Sequence, residues 1–527
     1  MHRNFLYGTV FVTGLVILML EVLGSRVMGP FFGISLYIWA SLISVTLIAL
    51  SIGYWLGGRI ADIKAVQKLA KESKKAKPGG IIADINTGWG FLYSIILFSA
   101  VAILFIQFIS APLMEWSYNL FGIKLGVLLS ALIVFSVPLL LLGMASPYVI
   151  RLLVTETGRV GGVAGGVFAI STLGSVIGAL LTAFVLIPNL GVSRAFTLGS
   201  LLLLSLSGIY FFTSRKYYQV LITLLITAIS LYLLFFYQKT LAKDDVKQII
   251  YQTDTLYGQL KVVEFPGSDI RATLIDGAVQ GIVYRDNSHD LPYMVYVKLF
   301  IQLLSTYQKN GGDVLIIGLG AGEIPRFLSR IGYRSDVVEI DPKVELMAVK
   351  YFDFNKEFGK VIIDDGRRYI RNCGKKYDLI FLDVASGGTQ PWYFFTKEAF
   401  QEMAKILKPD GILGINFLGF YQGEKSKTAI SINKTLKTVF RYSDLYATKY
   451  NPGALKNLLF FASDKPLAEN LEREKILENL KVIKLNFNLQ DGIVLTDNYN
   501  PLDLRSIDVS ETVRKMMFKW LGGKFLR

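Results

Sequence analysis

One cysteine, Cys373, and two histidines, His2 and His289, are all that 527 residues hold of the softer metal ligands. No disulfide can close within one chain and no Cys/His zinc cluster can be assembled, so no metal role is expected. Cys373 precedes Lys375 and Lys376 in a charged turn and reads as an incidental thiol. Charge is also scarce, at 18% of residues against about 25% in soluble proteins. The shortfall is local. Residues 1–237 hold 15 Lys+Arg and 6 Asp+Glu, whereas residues 238–527 hold 41 and 35. The net charge of +15 does not point to nucleic acid, because the basic residues of the second half are scattered rather than striped.

What the first half has is apolar length. Runs near 5–24, 36–57, 89–110, 125–145, 163–187, 195–213 and 217–237 are each long enough to cross about 30 Å of hydrocarbon. Six further runs follow the first, which makes a cleaved leader a poor reading of it. The loop 59–88 carries Arg59, Lys64, Lys68, Lys71, Lys74, Lys75 and Lys77, and the positive-inside rule places it in the cytoplasm. Arg151, Arg159, Arg215 and Lys216 fall on that same side. Seven spans then set residues 238–527 outside. A re-entrant segment or a miscount would reverse the parity; otherwise this part of the chain faces outward. Glu21 and Arg26 stand at or near the end of the first span, as a pair or as a functional acid. The glycines of Gly161–Gly178 favour close helix packing.

From residue 238 the pattern changes to alternating strand and helix. Leu256–Phe265, Arg271–Asp276 and Val279–Tyr284 suggest a short antiparallel β region. β-loop-α units follow, with strands at 313–317, 335–340, 360–363, 377–382 and 411–417. The fold class read from this is a multi-span α-helical membrane domain (1–237) joined to a doubly wound α/β domain, Rossmann-like and of the methyltransferase type. The boundaries expected are a small β region at 238–310, the α/β domain at 311–507 and an amphipathic tail at 508–527. The tail can lie on a membrane surface or cap the domain.

The chemistry sits at the strand ends. Gly318, Gly320 and Gly322 follow one strand and open a helix, where backbone can approach a ligand. The next position of the pattern is Glu323, which disfavours a dinucleotide. Glu339 ends the second strand and can accept both ribose hydroxyls. Asp365, before Gly366, ends the third and can accept from an adenine amine. Asp383 ends the fourth, where a carboxylate can hold and deprotonate an amine nucleophile.

Residues 250–505 resemble spermidine synthases, the aminopropyltransferases of polyamine synthesis. The stretches that carry this are D-G-A-V-Q at 276–280, G-L-G-A-G at 318–322, V-E-I-D-P at 338–342, D-D-G at 364–366 and Y-D-L-I-F-L-D at 377–383. The first half is similar to multi-span proteins fused to a spermidine synthase-like domain, through 35–43, 54–62, 142–147 and 170–175, and so is T-D-N-Y-N-P-L-D at 496–503. The resemblance implies transfer of an aminopropyl group from decarboxylated S-adenosylmethionine to a polyamine or other amine, leaving methylthioadenosine. It implies Glu339 on ribose, Asp365 on adenine, Pro391 beside adenine, Asp383 as proton acceptor and Gln280 in the site. The soluble enzymes' Tyr-His-Glu stretch has no clean match, but His289, Asp290 and Tyr293 lie nearby and, with Gln280 and Ser386, are the candidates for the substrate side. Three positions depart from the pattern: Ala321 and Ser386 stand where the family usually has aspartates, and Gly388 where the fused group often does. Asp286, Asp290 or Asp353 can compensate. The implied setting is a multi-pass protein of the inner membrane, with the bilayer as partner and a homodimer left open.

Two other readings are open. Ordinary S-adenosylmethionine can serve as a methyl donor, favoured by Ala321. Alternatively, the spans form a polyamine transporter with an adenosyl-sensing domain, for which Glu21 is the main intramembrane anion.

Overall fold

The structure, a computed structural model, describes residues 3–33, 36–63, 88–154, 160–236, 241–285, 289, 291–307, 311–385, 388, 390–448, 453–467, 471–502 and 507–526. Most of the basic loop, together with Arg159, Asp286, Asp290 and Ser386, lies outside them. The chain divides into two compact units, Met1–Thr240 and Leu241–Arg527.

The first unit is helical. Among the described residues, six helices are long and apolar enough to cross a bilayer: Arg3–Phe32, Tyr37–Asp62, Trp89–Leu153, Val160–Leu190, Val192–Thr213 and Tyr217–Phe235. Seven apolar runs become six helices because two of them fall within Trp89–Leu153. That stretch is not one straight rod. Gly122 has φ 66° and ψ −163°, Ser117 and Ser130 share a hydrogen bond at 2.5 Å, and Ser99 donates to the carbonyl of Pro138 at 3.3 Å. Residues 39 apart in one straight helix would be about 58 Å apart, so the two halves run antiparallel. Glycine lets the chain reverse here without a Cβ clash at positive φ.

Helices Arg3–Phe32 and Val160–Leu181 pack backbone to backbone. A Cβ on Gly174 or Gly178 would overlap the carbonyl oxygen of Phe11 or Leu15, and Ser175 donates to the Gly14 carbonyl at 2.9 Å. This is small-residue packing as expected for Gly161–Gly178, carried by its C-terminal half: Gly161, Gly162 and Gly165 face open space. Glu21 is half-buried along the first helix.

The second unit contains two sheets. The smaller is antiparallel in the order β1-β2-β3-β4, with β1 Gln248–Asp254, β2 Gln259–Phe265, β3 Ile270–Ile275 and β4 Ala278–Tyr284. The larger has eight strands: β5 Gly312–Ile317, β6 Tyr333–Glu339, β7 Lys360–Ile363, β8 Tyr377–Leu382, β9 Leu407–Gly419, β10 Tyr442–Thr448, β11 Lys456–Ser463 and β12 Val482–Lys484. Their order is β12-β10-β11-β9-β8-β5-β6-β7. β7, β6, β5, β8 and β9 are parallel, and β11, β10 and β12 complete the sheet antiparallel. Val314, Ile316, Leu379 and Phe381 bury one face of the central strands, and Leu315, Ile380 and Leu382 the other. Both faces are covered, as a Rossmann-like sheet requires. The crossing order reverses at β5, whose C-terminal end therefore opens a crevice.

The C-terminal tail forms helices Ile507–Leu521 and Gly523–Leu526. It packs on the small sheet. Arg514 is fully buried and donates to the Asp276 carbonyl. Trp520 stacks on Phe265 with centroids 5.0 Å apart, and Lys261 donates to the Phe525 carbonyl at 3.2 Å. Of the two places the sequence allows for the tail, the described contacts are those of a cap.

Candidate active site

At the crevice lies a cavity of about 860 Å³, large for the ~300–1,000 Å³ typical of ligand sites. The glycine bend forms one wall. Gly318 has φ +99°, and a Cβ there would overlap the Asp383 carbonyl. Only glycine lets the β5 and β8 ends approach so closely. Gly320 lines the cavity, and Gly322, at φ +75°, begins the helix Glu323–Arg330.

Glu339 ends β6 and is buried. Its Oε2 accepts from the Leu319 amide at 3.0 Å and its Oε1 from the Asp341 amide at 3.0 Å. Burial pushes its carboxyl up; the two amides pull it back toward the ionised form. Each oxygen keeps a lone pair, which suits a carboxylate that accepts two vicinal hydroxyls. Asp365 follows β7 and caps the helix Gly366–Asn372 by accepting from the Arg368 amide at 2.8 Å. One of its oxygens remains for a ligand amine. Gly366 is closely packed, since a Cβ would meet Ile317 Cγ2 at 2.5 Å.

Asp383 lies just beyond β8. Tyr296 donates to its Oδ2 at 3.1 Å, and Asn416, on β9, donates to Oδ1 at 2.8 Å. Asn457, on β11, supports Asn416 at 3.0 Å. Desolvation raises the Asp383 carboxyl above its ordinary range, and both hydrogen bonds oppose that rise. Tyr296 is held well above the usual phenol range by burial and by the charge of Asp383, so it stays protonated and keeps donating. This is a buried, oriented carboxylate able to take a proton.

Gln280 and Pro391 line the same cavity. His289 and Tyr293 do not. His289 stacks on Tyr284 at 3.6 Å, and Tyr293 lines a smaller cavity of about 250 Å³. Tyr293 also donates its amide to Glu323 Oε1 at 3.2 Å. Glu323 is 8% exposed, and burial raises its carboxyl to about 7. Asp341, Asp364, Tyr257, Tyr296, Asn416 and Asn457 also line the cavity and were not singled out in the sequence. Their places depend on which strands are neighbours, which no local pattern states. The late motif has a clear structural role. Asp497 takes both terminal nitrogens of Arg367 at 2.7 Å, and Asn500 holds the Trp392 carbonyl at 3.0 Å. Together they fix the segment after Pro391.

Residues 294–474 match the family model described as "Spermine/spermidine synthase domain". The match falls within the second unit. A polyamine aminopropyltransferase of Vibrio vulnificus is 33% identical over 178 residues, which is 32% of this chain and 58% of that protein. An N-terminal histidine N-methyltransferase of Emericella nidulans is 33% identical over 218 residues, 37% of this chain and 38% of the relative. A polyamine aminopropyltransferase of Clostridium perfringens is 28% identical over 224 residues, 41% of this chain and 79% of its own length. The chain thus spans less than two thirds of the first two relatives. Among solved structures, a spermidine synthase in complex with the transition state analogue AdoDATO aligns with a TM-score of 0.35 and 18% identity, over 49% of this chain and 84% of the other. The long apolar helices of the first unit are compatible with a fusion of a helical region to the part that matches this family model.

Proposed function

We propose that the protein is a membrane-embedded aminopropyltransferase that moves an aminopropyl group from decarboxylated S-adenosylmethionine to an amine. The supporting observation is the row of strand tips. Asp365 follows β7, Glu339 ends β6, the glycine bend follows β5 and Asp383 follows β8, on four neighbouring strands. β6 and β8 lie two strands apart, about 10 Å at ~4.8 Å per strand. That leaves room for a nucleoside with a short chain on its 5′ sulfur. Glu339 would hold the ribose and Asp365 the adenine, with Gly318, Gly320, Gly366 and Pro391 shaping the walls, Gly322 turning the chain into the helix behind them and Gln280 near the acceptor.

The amine nitrogen forms a bond to the propyl carbon on sulfur as the carbon–sulfur bond breaks. The bonding pair stays on sulfur, which becomes the neutral thioether of methylthioadenosine, and Asp383 takes the proton of the amine. The cavity disfavours the charged ammonium, and the raised carboxyl of Asp383 is the stronger base. The acceptor proton affinities are thereby brought closer together.

The six long apolar helices support a bilayer setting for the first unit, in the inner membrane. The synthase unit is proposed to face the cytoplasm, where the adenosyl donor is made. The test of function is incubation of the purified full chain with decarboxylated S-adenosylmethionine and a panel of amines, read by mass spectrometry. Methylthioadenosine and an aminopropylated amine are expected. S-Adenosylhomocysteine formed instead from S-adenosylmethionine would establish the second reading, methyl transfer, which the Emericella relative favours.

A further inference from the structure

Charge is distributed unevenly across the cavity. On the β6 and β7 side stand Glu339, Asp341, Asp364 and Asp365; past Asp383, the tips of β9 and β11 present Asn416, Leu418, Leu455 and Asn457. The helix Ile507–Leu521 adds Val513, Met516, Met517 and Trp520 to the lining, at the i, i+3, i+4, i+7 spacing of one helical face. Lys519 lines the cavity beside them. This wall is fixed in place by buried Arg514 and by the Trp520–Phe265 stack. It also meets Gly388. Gly388 has φ +87°, and a Cβ there would meet Val513 Cγ1 at 3.1 Å, so that point of the loop presents no side chain.

We propose that the acceptor is a primary amine carried on an apolar body rather than a polyamine. The inference rests on the aminopropyl transfer proposed above and names its second substrate. One carboxylate, Asp383, serves the attacking nitrogen. A diamine brings a second ammonium, and among the described residues lining this side it finds no second carboxylate. It would lose hydration against methionine, leucine and tryptophan, and would meet Lys519. A buried charge without a partner is strongly disfavoured, whereas a methyl group at that position gains from the same walls.

Hexylamine and 1,5-diaminopentane are the test pair, equal in heavy-atom count and differing in one terminal group. Calorimetry on the full chain saturated with methylthioadenosine, corrected for detergent micelles alone, should show hexylamine binding at least tenfold more tightly. Hexadecylamine dispersed in detergent distinguishes a lipid-borne amine from a small one. Met517→Glu should reverse the preference at least tenfold toward the diamine, with methylthioadenosine affinity unchanged. Met516→Glu, at a position 51% exposed, gives the same readout if the first variant fails to fold. Equal or tighter binding of the diamine by the wild type, or no binding of hexylamine, overturns the inference. Hexylamine that binds, yet yields no methylthioadenosine when incubated with the full chain and decarboxylated S-adenosylmethionine, would instead remove the transfer reading and leave the acceptor site standing.

Discussion

Asn416 donates its side-chain amide to Asp383 at 2.8 Å, across the β8–β9 boundary. That bond favours the ionised carboxylate and opposes the rise caused by burial. A base must be ionised to act, so product formation falls as pH drops through the Asp383 pKa. Removing the donor raises that pKa. Asn416→Ala should therefore move the acid limb of kcat/KM upward by about one to two pH units, given ~1.5–3 kcal/mol for a hydrogen bond to a charged group and 1.36 kcal/mol per unit. Asp383→Asn should abolish product while methylthioadenosine still binds within about twofold. An unshifted limb, or normal turnover in the Asn variant, would show that another group is the base.

Glu339 separates nucleoside binding from chemistry. Glu339→Gln replaces one acceptor oxygen by a donor, so one ribose hydroxyl loses its partner. The dissociation constant of methylthioadenosine should rise tenfold or more, at ~1.5–3 kcal/mol for the lost charged hydrogen bond. The substitution also sets an amide N–H against that of Leu319 or Asp341, so thermal melting is the necessary control. Intact melting with unchanged affinity would remove Glu339 from the ribose role.

The parts of this molecule legible in its sequence are those written locally. Each parallel strand is an apolar run closed by Gly, Glu or Asp, so β5 to β8 and their tips could be read from residues 312–383. The antiparallel half, β10 to β12, was not anticipated: Tyr442–Thr448 and Lys456–Ser463 end in no chemical signature, and their pairing spans distant segments. Asn416 and Asn457 escaped notice for the same reason. The two apolar runs 89–110 and 125–145 were legible as separate, and the reversal between them falls at Gly122, where φ is 66° and ψ −163°. Val513 and Trp520 carried a helical apolar stripe, yet the stripe does not say which surface it covers. Arg514 and Lys261 settle that through buried contacts.

Glu323 should govern part of the pH dependence of stability. Its folded carboxyl is raised to about 7 by burial, above the unfolded value near 4.3. The folded state therefore binds the proton more tightly, so the stabilising effect is full below the unfolded value and lost as pH rises through about 7. Glu323→Gln keeps the acceptor for the Tyr293 amide and removes the charge. It should flatten the stability profile between pH 5 and 8 and stabilise the synthase unit at pH 8 by up to about 3 kcal/mol. A profile unchanged in denaturant titrations at both pH values would show that Glu323 ionises freely.

In the proposed bilayer setting, Cys373 can report the side on which the second unit stands. It is the sole thiol of the chain and is half-buried, with contacts to the Lys375 carbonyl at 3.5 Å and the Tyr377 hydroxyl at 3.7 Å. If the proposed bilayer setting holds and the basic loop after the second helix lies in the cytoplasm, as its charge predicts, seven crossings would place Cys373 outside. A cytoplasmic synthase unit instead needs an even number. The helix Tyr217–Phe235, at 19 residues the shortest of the six, follows the others in the chain, so whether it crosses decides the parity. A membrane-impermeant maleimide should accordingly label Cys373 in inverted vesicles and spare it in right-side-out ones, with denatured protein as the control for reactivity. Labelling in right-side-out vesicles would establish seven crossings, and the adenosyl donor would then have to reach an outward-facing cavity.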